Sequence, residues 1–343
     1  MKNGNDIFKI SVVMSAYNAE KFIKEAIDSI LSQTFPDFEF IIINDTSTDS
    51  TGSIIESYRD PRILLINNEK NMGLTKSLNI GLNKARGTYI VRMDADDISF
   101  PQRFQKQFDF MEQNPDVDVC GSWYEFFGGK TGIVKHPLSS EKIKATLFFY
   151  NCIAHPTVMI RKESFEKYNI RYDEEFFYAQ DYELWCREID RLNFANIPEV
   201  LLKYRVTDKQ TSTDNLYEQI QNTDKVLIRN LEKKGLFLTE REKQLFCDYL
   251  VREGRLKDRF AILEIGNIVK KIREVDEFNK YFKDILYFRW WRALCSNVEG
   301  GYIIIQALCA EFPFLQPTVK NFIRFCWIIS MAFYFELKRK VWI

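Results

Sequence analysis

Histidine is nearly absent from this chain, with two in 343 residues. Cysteine numbers seven, an odd count, and no two lie close enough for a Cys-x-x-Cys pair. A Cys/His zinc site and a disulfide framework are both disfavoured, and a reduced, cytoplasmic setting is expected. Charge of one sign is missing too. Forty-eight Lys and Arg balance 48 Asp and Glu, whereas a nucleic-acid binder is usually basic, so no nucleic-acid partner is expected. The opening MKNGNDIFKI lacks the apolar core of a signal peptide. No internal repeat or low-complexity tract is evident. What is present is ample apolar material, 46% of the residues, enough for one large domain or two.

Up to about residue 100, strand-like and helix-like runs alternate. Ile10 to Met14, Phe38 to Ile43, Arg62 to Ile66 and Thr88 to Met93 are apolar, β-rich runs. Between them, Phe22, Ile23, Ala26, Ile27, Ile30 and Leu31 recur at helical spacing, with Asn18 available as a cap. Leu74, Leu78, Leu82 and Ala85 mark another helix, stopped by Gly87. Such β-α-β-α alternation predicts a mostly parallel, Rossmann-like sheet flanked by helices, an α/β fold. In open α/β sheets ligands bind beyond the carboxyl ends of the strands. "SAYN", "NDTSTD" and "MDADD" stand at three such ends.

Further on, Pro101 opens a helix through Met111, Val117 to Phe127 forms a strand, and Ser140 caps a helix through Phe149. "HPTVMI" is a strand, Asp181 opens a helix, and "EVLLKYRV" is the last strand. Composition changes near 215, which divides the chain into 1–215 and a helical region 216–343. In the latter, Thr239 and Glu242 form a capping box. Aromatics and basic residues gather in "YFRWWRALC" and beyond. The longest charge-free apolar run of the tail, Phe325 to Phe335, has 11 residues against the ~20 that span a bilayer. The tail therefore suits a helix lying in the membrane interface, with Lys338, Arg339 and Lys340 near anionic headgroups. The rival reading is a buried C-terminal helix.

Asp94 and Asp96 are two residues apart and point the same way in an extended segment. Two carboxylates without a nearby Lys suit a hard divalent cation such as Mg²⁺ or Mn²⁺. An EF-hand is disfavoured, because Ile98, Ser99 and Gln105 occupy its third-ligand, glycine and final-Glu positions. A solvated acidic loop is the bland alternative.

The stretches "ISVVMSAYNAEKFIKEAIDSILSQTFPDFEFIIINDTSTDST" and "GTYIVRMDADDISFPQRFQKQ" resemble the N-terminal half of a family 2 glycosyltransferase of GT-A fold. "HPTVMIRK" and "QDYELWCR" extend the likeness over about residues 8 to 210. The resemblance implies a GT-A domain at 1–215 and roles for individual positions. Ser15, Ala16, Tyr17 and Asn18 would line the nucleotide, and Asp45 would hold the base's imide. Lys76 would lie near base or diphosphate. Asp94 would touch ribose or metal, Asp96 would ligate the metal, and Ala95 would lie between them. Asp97 would be a supporting or sugar-contacting residue. Asp181 would be the general base and Trp185 would line the acceptor site. His155 would hydrogen-bond a sugar hydroxyl or pack as a turn residue, and Arg205 would bind the diphosphate.

The chemistry implied is inverting transfer from a nucleotide-diphosphate sugar, UDP-linked, to a hydroxyl of a glycan acceptor. A metal steadies the leaving diphosphate and one carboxylate takes the acceptor's proton. The expected acceptor is a lipid-linked glycan in surface-polysaccharide or O-antigen assembly, with the enzyme peripheral on the inner face of the cell membrane. Two departures from the family pattern stand out: Gln180 where an acidic residue usually precedes the base, and Asp208 where a His is frequent. A sugar nucleotidyltransferase would normally carry a Gly-rich loop where this chain has "SAYNAEK". A non-catalytic sugar-nucleotide-binding protein would not need Asp45, Asp94, Asp96 and Asp181 together.

Overall fold

In the computed structural model, residues 8–207, 215–254 and 261–296 are described. Asp208 and the C-terminal tail lie outside these residues. Four strands follow the expected alternation: β1 (Ile10–Ala16), β2 (Phe38–Asn44), β3 (Ile63–Asn67) and β4 (Tyr89–Asp94). Between them run α1 (Ile23–Leu31), α2 (Thr51–Ser57) and α3 (Leu74–Lys84). The strands pair in parallel in the order β3-β2-β1-β4.

Alternation along each strand divides two apolar faces. Ile10, Val12, Met14 and Ala16 share a core with Ala26, Ile27 and Ile30 of α1 and with Phe104 and Met111 of α4 (Arg103–Gln113). Val13 turns to the other face, against α3. A Cβ on Gly81 would come within 2.3 Å of the Val13 side chain, so glycine lets α3 lie close to the sheet. Fully burying each such aliphatic side chain contributes ~1.5–3 kcal/mol.

The sheet continues with β5 (Ile98–Ser99), β6 (Val119–Gly128), β7 (Gly132–Val134), β8 (Met159–Arg161) and β9 (Phe194–Val206). The nine strands run β3-β2-β1-β4-β8-β6-β9-β5, with β7 paired to β6. β8 is antiparallel to both β4 and β6, whereas β6 and β9 are parallel. Helices α5 (Ser140–Thr146), α6 (Lys162–Lys167) and α7 (Gln180–Arg187) flank this half.

Several local expectations need correction. Asn18 does not cap α1: Phe22 holds the cap position, and the Asn18 side chain accepts from Thr48 instead. Ser139 precedes α5, and Ser140 accepts from the Phe194 N–H. α3 ends at Lys84, ahead of Gly87. Glycine is needed at 87 for close approach, since a Cβ there would sit 2.5 Å from the Ser11 nitrogen. His155–Thr157 of "HPTVMI" form a single 3-10 turn, and only the end of that run is strand. The Thr239–Glu242 capping box is present.

The chain divides into two compact units, Met1–Leu147 with Asn151–Val226, and Phe148–Tyr150 with Leu227–Ile343. It passes from one to the other within α8 (Leu216–Lys233). The second unit holds α9 (Glu240–Leu245), a π-helical turn (Phe246–Val251), α10 (Ala261–Arg273) and α11 (Lys280–Ser296). In α11, Phe282, Leu286, Trp290 and Ala293 form a buried stripe at helical spacing. Arg289 donates to the Leu250 and Val251 carbonyls that the π-turn leaves open. "YFRWWRALC" therefore builds this unit's own core, contrary to its grouping with a membrane-facing tail. No helix among the described residues is long and apolar enough to cross a membrane.

Candidate active site

Strand register brings the polar clusters to one sheet edge. Ser15 pairs with Asp94, Ala16 with Asn44, and Asn44 with Asn67. Tyr17 stands out from this edge, 51% exposed. The loop after β1 is laced to the loop after β2. The Asn18 N–H donates to Ser47 Oγ, Thr48 N–H to Asn18 Oδ1, and Ala19 N–H to Thr51 Oγ1. Asn18 and Thr46 take left-handed backbone conformations that close this turn.

Asp45 is buried at the end of β2. Its Oδ1 accepts from Asn68 Nδ2 at 2.6 Å and from the Met72 N–H at 2.8 Å. Its Oδ2 accepts from the Gly73 N–H at 2.8 Å. A carboxylate offers about four lone-pair directions, so three bonds to the chain leave about one for a further donor. Asp45 thus shapes the approach to α3 as well as facing the sheet edge. Lys76, on α3, lies 3.5 Å from Glu174.

Asp94, Asp96 and Asp97 can each offer an oxygen within 4.8 Å of the others. Asp94 is ion-paired with Arg92, which is buried in β4. Burial and then the Asp94 charge raise the Asp96 pKa to about 6. Burial, Asp94 and Asp96 push Asp97 well above the usual carboxylate range. Asp97 is only 1% exposed and braces the loop from within. Its Oδ1 accepts from the Arg205 N–H at 2.8 Å, and its Oδ2 is buried with no partner. Three carboxylates whose oxygens come within 4.8 Å of one another fit a divalent cation. Ala95 is half-buried against the core.

Arg205 is tied down rather than free. Its Nε donates to the Asp96 carbonyl at 2.6 Å and an Nη to Glu25 at 2.7 Å, while Phe22 and Phe127 sandwich its guanidinium. The last strand thereby clamps the acidic loop in place.

Asp181 occupies the first turn of α7, behind the capping position held by Ala179. Asn151 Nδ2 donates to its Oδ2 at 2.8 Å, and Asn151 is itself fixed by the Ile153 N–H. Burial raises the Asp181 pKa, against the lowering effects of the Tyr182 N–H, the Arg92 charge and Asn151. His155 is buried, and its Nε2 lies 2.7 Å from the Tyr172 hydroxyl. Burial, then the Arg92 charge, keeps this imidazole neutral. Its Nε2 is thus engaged by the Tyr172 hydroxyl. Trp185 is fully buried, edge-on to Phe194. It packs α7 against the sheet at Phe194. Asp181 and Trp185, four residues apart on α7, share a helix face, and only Asp181 of the two keeps partial exposure.

Sequence reasoning missed Arg92, Asn151 and Tyr172. Arg92 was legible: two positions before Asp94 in a strand, it shares that residue's face. Asn151 and Tyr172 lie in irregular segments without a periodic signal.

A parallel sheet edge carrying polar loops, a carboxylate cluster and a separate half-buried carboxylate fit a glycosyltransferase of GT-A fold. Residues 11–187 match the family model "Glycosyl transferase family 2". An uncharacterized glycosyltransferase of Haemophilus influenzae is 36% identical over 292 residues, covering 81% of this chain and 84% of that relative. The chain therefore belongs to glycosyl transferase family 2. The O-antigen biosynthesis glycosyltransferase WbnJ of Escherichia coli is 35% identical over 60% of this chain and 83% of its own. An E. coli UDP-Gal:alpha-D-GlcNAc-diphosphoundecaprenol beta-1,3-galactosyltransferase is 36% identical over 61% of this chain and 78% of its own. S. aureus TarS 1–349, solved in complex with UDP-GlcNAc, shares the fold with a TM-score of 0.59 at 18% identity, covering 90% of this chain and 93% of TarS.

Proposed function

We propose that this glycosyltransferase moves a sugar from a UDP-sugar to a hydroxyl of a lipid-linked glycan, with inversion at the anomeric carbon, in surface-polysaccharide synthesis. The observation that carries the reading is the division of carboxylates. Three converge at the end of β4, while Asp181 stands apart on α7 with its own partner. The E. coli relative named for UDP-Gal and a diphosphoundecaprenol acceptor supports the donor and acceptor classes.

Asp94 and Asp96 would hold Mg²⁺ or Mn²⁺, with Asp97 fixing the loop beneath them. A cation there supplies charge stabilisation for the departing diphosphate. Ser15, Ala16, Tyr17 and Asn18 flank the nucleotide, and Asp45 uses its remaining acceptor on the base. Arg205 acts by bracing the acidic loop. Asp181, oriented by Asn151, accepts the acceptor's proton as the new bond forms. A single base and in-line attack invert the configuration. The C-terminal tail holds the enzyme on the inner face of the membrane, near its substrate.

The test is release of UDP from UDP-sugars with Mn²⁺, abolished in Asp96→Ala. Asp181→Asn should lose transfer yet bind UDP. A retained anomeric configuration by NMR would overturn the base assignment. Deleting residues from about 312 onward should move the protein to the soluble fraction. Silent UDP-sugar binding without any turnover would favour a non-catalytic binding protein.

A further inference from the structure

Beside the carboxylates lies a run of aromatic rings that the mechanism above leaves unused. β5 pairs antiparallel with β9, Ile98 opposite Lys203 and Ser99 opposite Leu202. Continuing that register sets Asp97 opposite Tyr204, and directly opposed residues project to the same face. The Arg205 N–H on Asp97 Oδ1 agrees with this placement. On the other side of β9, β6 sets Phe126 opposite Tyr204. The Tyr204 ring lies 5.4 Å from Tyr124 and 5.8 Å from Phe126, and the His136 ring lies 5.7 Å from Tyr124.

Tyr124 and Tyr204 rest on the apolar core and remain half-buried. Buried tyrosine hydroxyls usually find a partner. Among the described residues neither of these hydroxyls has one. Asp97 Oδ2 and His136 Nε2, on the same cluster, are buried without partners as well. A tyrosine hydroxyl is protonated at neutral pH, so both can donate.

A hexopyranose has one apolar C–H face and a rim of hydroxyls. Flat rings with free donors at their edge match both features. We propose that Tyr124 and Tyr204 form a stacking wall for a hexopyranose ring bound beside Asp96 and Asp97. This rests on the glycosyltransferase reading and adds its sugar-contacting residues. The ring can belong to the donor or to the acceptor, because the chemistry of recognition is shared.

The experiment uses the full chain with Mn²⁺, comparing wild type with Tyr204→Leu, Tyr124→Leu and Tyr204→Phe. Leucine keeps apolar volume over the core and removes the ring face. The donor arm measures binding of UDP, UDP-glucose, UDP-galactose and UDP-N-acetylglucosamine. The acceptor arm measures stimulation of UDP release by p-nitrophenyl glycosides. Binding of UDP alone should stay within about twofold in every variant, which also reports folding. The leucine variants should lose about tenfold, either in preference for a UDP-hexose over UDP or in glycoside half-saturation. The first outcome assigns the wall to the donor ring and the second to the acceptor ring. Tyr204→Phe should keep most of the effect. Leucine variants that change neither arm, or weaken UDP and UDP-hexose equally, overturn the wall while leaving the enzyme reading intact. A wild-type protein that binds no UDP-hexose overturns the UDP-donor reading and the wall with it.

Discussion

Replacing Asn151 with alanine should move the acid limb of the rate profile upward by about one pH unit. The proposed base works only when ionised, and four influences hold the Asp181 pKa down against burial: the Tyr182 N–H, the Arg92 charge, Asn151 Nδ2 at 2.8 Å from Oδ2, and the backbone N–H of Asp181 itself. A hydrogen bond to a charged group is worth ~1.5–3 kcal/mol. Asp181 is half-buried, so the lower end applies, and ~1.4 kcal/mol corresponds to about one pKa unit. The sign follows from which form the amide favours. It donates to the carboxylate, so its loss favours the protonated acid and raises the pKa. The rate under donor and acceptor saturation should therefore fall most on the acid limb and recover toward the wild-type plateau at higher pH. Measured from pH 4.5 to 9, an unmoved acid limb with a uniformly lower plateau would show that Asn151 only positions the loop. A downward shift would refute the assignment of Asp181 as the base.

Asp181→Asn should raise thermal stability at pH 7 while abolishing transfer. The folded pKa of Asp181 is raised, so its charged form is disfavoured by folding at neutral pH, and the advantage of the variant should narrow as pH falls through that pKa. Asp96→Asn should be more stable than wild type in chelator, because it relieves carboxylate crowding. With Mn²⁺ and UDP the order should reverse, read by differential scanning fluorimetry. Far from the site, Glu39 is buried and accepts from Ser11 Oγ, the Arg86 N–H and the Arg86 guanidinium. Arg86 is half exposed, so Glu39→Ala should cost about 3 kcal/mol, at the low end for a broken buried pair, and lower Tm by roughly 6–12 °C.

The parallel half of the sheet was legible because its residues obey strict periods. Val12 and Met14 alternate with Val13, and Ile23, Ala26, Ile27 and Ile30 recur at helical spacing. The later half was harder. β8 and β5 are three and two residues long, too short for any period to register. That Trp185 is fully buried was not legible, because motif position tells nothing about what covers a short helix. Asp94 and Asp96 could be paired from spacing alone, whereas their restraint by Arg205 spans more than a hundred residues and depends on β9 lying against β5.

That restraint bears on why the acidic loop holds its shape. Three carboxylates within 4.8 Å repel one another, and each would gain by turning toward solvent. Arg92 compensates Asp94 from below. Arg205 spends its hydrogen bonds on the Asp96 carbonyl, on Glu25 and, through its backbone N–H, on Asp97. It therefore fixes the backbone of the loop, while its charge and that of Arg92 offset only part of the burial and repulsion that raise the Asp96 pKa. A loop held this way keeps a carboxylate repulsion that Arg92 and Arg205 offset only in part. Ligand binding can then draw on relief of that repulsion as well as on new contacts, and the cost is carried by the packed sheet, whose buried aliphatic faces are insensitive to charge at its edge.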